Sequence, residues 1–141
     1  MAVAPLSSTI VAIGLIPVAF FFSHAFLSGR SKNRFHPVSG VIAISWDLGL
    51  SIGYMLYRSF GGTVDGSIIQ FTPTLSVYFG IHGAVAVLVM ALEVAVLGIG
   101  VTMFRNKTAN KLHNKLTKIL FGIWWFAFLS GEIFYIVMYV I

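Results

Sequence analysis

The sequence predicts an all-α integral membrane protein, four transmembrane helices in an antiparallel bundle with both termini outside. Three observations carry that prediction. The 141 residues are 58% hydrophobic and only 9% charged, with a mean hydropathy of +0.95, where a soluble domain carries about a quarter charged residues. Four apolar segments stand out, at 5–28, 38–60, 75–104 and 117–141, each close to the ~20 residues that cross the hydrocarbon core of a bilayer. Eight of the nine basic residues fall in two short stretches, between those segments or at the opening of the fourth, so the net charge of +5 marks topology and not a nucleic-acid surface. A single helical domain over 1–141 follows. The chain has no cysteine, which excludes disulfides, thiolate metal ligands and thiol redox chemistry.

The first segment lacks a basic leader region and has no small-residue cleavage site before Arg30, so it reads as a retained span. Arg30, Lys32 and Arg34 turn the chain into the second segment, which opens at His36-Pro37 with proline suited to the first helical position. The connection "SFGGTVDGSIIQFTPT" has no basic residue and one acid, Asp65. It is the one hinge expected between two helical hairpins. The third segment ends at Arg105 and Lys107. The fourth helix is expected from about 110, ahead of its apolar run, with Lys111, Lys115 and Lys118 on a solvated face. The positive-inside rule then places both basic turns in the cytoplasm and both termini outside a cell membrane.

Three of the four acids, Asp47, Glu93 and Glu132, lie within apolar segments. An ionisable group at membrane depth is costly and is by default a candidate for function. Asp47 follows His36 by eleven residues, about 16 Å of helix. Glu93 precedes Arg105 by twelve, about 18 Å. The two carboxylates therefore lie at similar depth and, on meeting, would share a proton, because two buried like charges do not both ionise. The expected partners of Asp47 are Glu93, Ser45 or Ser51. His82 stands eleven residues before Glu93 and shares its stripe of helix 3 with Ala86, Val89 and Gly100. His82, Glu93 and Asp47 form the candidate metal set, against a plain reading as polar contacts between helices.

His24, His36 and His113 fall near the cytoplasmic face on three different helices, and His113, seven residues before Leu120, can point inwards. Neutral imidazole is a common metal ligand, and haem b in a helical bundle needs axial histidines on facing helices at matching depth. These three are the candidate cofactor ligands, with haem b and copper both open. The plain alternatives are an N-terminal helix residue for His36, a headgroup contact for His113 and a carbonyl hydrogen bond for His24. The aromatic residues read mostly as packing and lipid contact. No nucleophile–base constellation or phosphate loop is present, so no enzyme activity is expected.

Several stretches together resemble a known family. They are His36, "YMLYR" (54–58), "YFGIHGAVAV" (78–87) and "KLHNKLTKILFGIWWFAFLSGEIFY" (111–135), within which His113, Trp124, Gly131 and Tyr135 match the pattern. The chain is similar to the CtaM-like family of small four-helix membrane proteins. That resemblance runs from helix 2 to the C-terminus and implies an accessory or assembly subunit of a respiratory haem-copper oxidase, with membrane lipid and subunits of a respiratory complex as partners. The family closes helix 2 with a histidine that would pair with the one at position 82. Here Arg58 stands there and cannot be a ligand; it could instead neutralise Glu132. Two further functions stay open, a small b-type cytochrome with bis-histidine haem and a structural subunit of a larger membrane complex.

Overall fold

The computed structural model describes residues 4–63 and 65–141. Four helices account for nearly all of them: α1 (Leu6–Arg30), α2 (His36–Ser59), α3 (Pro73–Asn106) and α4 (Lys111–Tyr139). All four are long and apolar enough to cross a membrane, as expected of a multi-pass membrane protein. The observed ends lie within a few residues of those predicted.

Local chemistry sets these ends. Lys32 turns the chain after α1 in the left-handed region (φ 54°), and the Asn33 side chain accepts from the Phe35 backbone N–H at 3.0 Å. α2 then starts at His36 with proline in its first turn, where the missing N–H costs nothing. Thr72 caps α3 by accepting from the Leu75 N–H at 3.3 Å. Asn110 caps α4 by accepting from the Leu112 N–H at 2.8 Å. Side-chain caps of this kind satisfy N–H groups that the helix itself leaves free. The 59–74 connection, expected as a hinge, is tied to α4 where the Ile68 N–H donates to the Met138 carbonyl at 2.8 Å.

α1 packs chiefly on α2 and α3 chiefly on α4. The two pairs meet along α1–α4 and along α2–α3, both seams less extensive than those within the pairs. Each helix gives two residues to one apolar core: Val18 and Phe22, Ala43 and Ile44, Val89 and Val96, Leu120 and Trp124. The outward faces are rich in Ile, Leu, Val and Phe, as helices meeting lipid require. Lys111, Lys115 and Lys118 are exposed, while His113, Leu120 and Trp124 form the buried stripe of α4. The polar residues within the spans occupy three levels of this core.

Candidate functional site

The first level lies beside the two basic turns. His36 opens α2 and His113 lies in the first turn of α4, and their rings approach to 6.1 Å between centroids, nearly perpendicular to each other. Each ring is seated against a glycine of a neighbouring helix. A Cβ on Gly29 of α1 would come within 2.8 Å of His36 Cε1 and Nδ1, and one on Gly100 of α3 within 3.1 Å of His113 Cε1. Such backbone approach needs residues without a side chain. His36 Nδ1 lies 2.7 Å from the Ala25 carbonyl oxygen, so Nδ1 carries a hydrogen and donates it there, and Nε2 is the ring nitrogen left for another contact. His113 is buried, and its Nδ1 has no hydrogen-bond partner among the described residues.

His24 is near this pair but does not join it. Its Nδ1 bonds Ser39 Oγ at 2.7 Å, and its ring lines a cleft of about 400 Å³ with Ala19, Phe20, Ser23, Leu27 and Trp125. Of the three candidate cofactor ligands, the structure brings His36 and His113 together and gives His24 to Ser39. Among the described residues no group of three or more His, Asp or Glu side chains is placed to hold one metal ion.

The second level is built on Asp47. The Trp124 indole N–H donates to Asp47 Oδ2 at 2.7 Å, and the Ser51 hydroxyl donates to Oδ1 at 3.4 Å. The carboxyl of Glu93, itself fully buried, lies against that of Asp47. Neither Glu93 oxygen receives a hydrogen bond from any other described residue. Two of the expected partners, Glu93 and Ser51, are thus found, while Ser45 is exposed on the far face of α2. The strongest donor, Trp124, was expected only as packing. Its signal is the shared interval: Trp124 follows His113 by eleven residues, as Asp47 follows His36. Two helices paired at their histidines are in register again about 16 Å further on.

The third level holds His82. Its Nδ1 bonds Ser130 Oγ at 3.1 Å, and its ring stacks on Tyr78 at 6.4 Å. A Cβ on Gly131 would lie 3.3 Å from its Cε1. Glu93, eleven residues along α3, is about 16 Å away in axial rise, so the predicted metal set of His82, Glu93 and Asp47 does not assemble. Arg58 does not serve Glu132; its guanidinium donates to the Gly62 carbonyl at 2.9 Å.

No family model, no curated protein and no solved structure matches this chain. The candidate site therefore stands on its own chemistry. Two imidazoles that each place a nitrogen about 2 Å from one ion have ring centres roughly 6 Å apart, close to the separation of His36 and His113. The hydrogen bond from His36 to the Ala25 carbonyl is the outer-shell contact that orients ligating histidines. Imidazole suits copper, so the pair fits a copper ion. Two axial imidazoles on one haem iron would have a similar separation, so the distance alone does not tell copper from haem. The cleft beside His24 reaches neither His36 nor His113.

Proposed function

We propose that this chain is an accessory or assembly subunit of a respiratory haem-copper oxidase, or of a related membrane complex, and that it handles copper through His36 and His113. The observation that carries the reading is the pair of glycine-seated imidazoles brought together from α2 and α4. The resemblance of residues 36–141 to the CtaM-like family supports the oxidase context.

In this reading the helices form an antiparallel bundle in the cell membrane. Cross-helix pairs support it, because they run in opposite order along neighbours: Gly14 with Leu50 and Gly29 with His36, then Gly131 with His82 and Gly100 with His113. The basic turns lie on the cytoplasmic side and both termini lie outside, so the pair would meet copper at the cytoplasmic edge. Copper, when bound, would supply a transferable or redox-active ion. The chain would supply the two imidazoles and the Ala25 carbonyl that fixes one of them.

The test is elemental analysis with a pyridine haemochrome assay on the purified, detergent-solubilised chain. Copper near one per chain is expected, lost in His36→Ala and in His113→Ala and kept in His82→Ala. Haem near one per chain, with a Soret band, would replace this reading with a b-type cytochrome. Neither copper nor haem after copper loading would leave a structural subunit whose polar groups only join helices.

A further inference from the structure

The second polar level has no part in holding copper, and its arrangement assigns a ligand of its own. We propose that Asp47 and Glu93 form a proton-binding site in the membrane core, with one proton carried on Glu93 and donated to an ionised Asp47.

The donors decide which group holds the charge. Asp47 receives two hydrogen bonds, from the Trp124 N–H at 2.7 Å and from the Ser51 hydroxyl at 3.4 Å. Donors of that kind stabilise a carboxylate. The indole cannot turn to accept, since it is a donor only. It is also held between Phe22 and Phe128, stacked at 4.7 and 5.1 Å. Glu93 is in the opposite position. It is fully buried, and no N–H or O–H of another described residue reaches either of its oxygens. A carboxylate there would be a bare charge in apolar surroundings. A carboxylic acid there has one hydrogen to give, and its neighbour is Asp47. Asp47 on α2 is the charged group acting on Glu93 of α3; α4 offers the uncharged Trp124, and α1 the apolar Val18 and Phe22.

The location gives the proton a consequence. α2 and α3 meet along one of the two narrow seams between the helix pairs, and the acid–carboxylate hydrogen bond crosses it. Removing the proton sets two like charges across that seam in a low dielectric, where repulsion is strong. The proton thus clasps the two helix pairs together at mid-membrane, about 16 Å from the histidine pair.

Infrared spectroscopy of the full chain in lipid nanodiscs tests this directly. At neutral pH a protonated-carboxyl C=O band, shifting in deuterium oxide, is expected in the difference between the wild type and Glu93→Gln. Glutamine keeps the shape and the donor of the acid, and Asp65 and Glu132 cancel in that difference. Asp47→Asn is expected to keep the band and displace it, because the acceptor changes. If Glu93→Gln does not fold, 13C labelling of glutamate in Glu132→Gln gives the same answer, since Glu93 is then the one glutamate left to label. A difference spectrum without the band would overturn the proposal, as would a band removed by Asp47→Asn instead. Disappearance of the wild-type band on adding sodium would also overturn it, by making the pair a cation site.

Discussion

The two ends of the helical bundle use the same device for different results. At each end an imidazole is pressed against a glycine of the next helix: His36 on Gly29 and His113 on Gly100 at one, His82 on Gly131 at the other. Beside the basic turns the two rings face each other at 6.1 Å, with one ring nitrogen left buried and unbonded among the described residues. At the far end the ring meets Ser130 and Tyr78, which occupy it. A histidine near a glycine is therefore not yet a site. What separates the ends is whether the polar partner across the gap is a second imidazole or a hydroxyl that satisfies the first.

The largest effect that distinguishes the ends is functional. In a host whose own copy is removed, His36→Ala or His113→Ala is expected to lower the copper content and activity of the terminal oxidase by at least about tenfold, the loss seen when support around a metal ligand fails. His82→Ala is expected to leave both unchanged. Oxidase activity and copper per oxidase in isolated membranes measure this. A loss confined to His82→Ala would reverse the assignment of the two ends.

How far this contrast is legible in the sequence depends on the kind of signal. The four spans are visible because hydrophobic length alone decides them, and the start of α2 because Pro37 suits a first helical turn. The buried place of Asp47 and Glu93 follows from the cost of leaving them in lipid, whereas His113, beside the lysines that open α4, reads equally well as a headgroup contact. The exact partners of the two acids do not follow from that cost. Ser51, four residues from Asp47 on the same helix, shares its face, whereas Ser45, two residues away, points to the other side; it is the partners on other helices, Glu93 and Trp124, that depend on how each helix is rotated about its axis. His24 shares the depth of His36, yet Ser39 captures it first. Trp124 is hidden by its type, because an indole in a membrane helix reads as packing until the acceptor of its N–H is known.

The second effect compares single hydrogen bonds. Trp124→Phe removes the 2.7 Å donor to Asp47 while keeping an aromatic ring between Phe22 and Phe128. A bond to a charged group is worth about 1.5–3 kcal/mol, and Asp47 is left with Ser51 and Glu93. Tyr135→Phe removes the hydroxyl that meets Thr9 at 2.9 Å, a partly buried pair between α4 and α1, worth about 1 kcal/mol. Equilibrium unfolding in mixed micelles is expected to rank Trp124→Phe as the costlier change. Equal costs would mean that the Asp47 level is held no more tightly than the outer contact, and would remove the energetic basis for a charged Asp47.

The smallest effect has opposite signs at the two ends. Replacing a helix-interior glycine by alanine favours the helix by up to about 1 kcal/mol, provided the new methyl has room. At Gly131 the methyl would stand 3.3 Å from His82 Cε1, and His82 is only half-buried, so its ring can shift by the few tenths of an ångström required. Gly131→Ala is therefore expected to be neutral or slightly stabilising, with metal content unchanged. At Gly100 the methyl would stand 3.1 Å from Cε1 of a His113 that is 8% exposed. That ring has His36 on one side and can yield only by leaving its alignment. Gly100→Ala is expected to gain no stability and to weaken copper binding by about tenfold, as loss of ligand orientation does. Titration of both variants with copper(I) against a competing chelator, beside their melting curves, separates the two terms. Unchanged affinity in Gly100→Ala would mean that His113 has room its burial denies, and that the glycine does not set the distance between the two imidazoles.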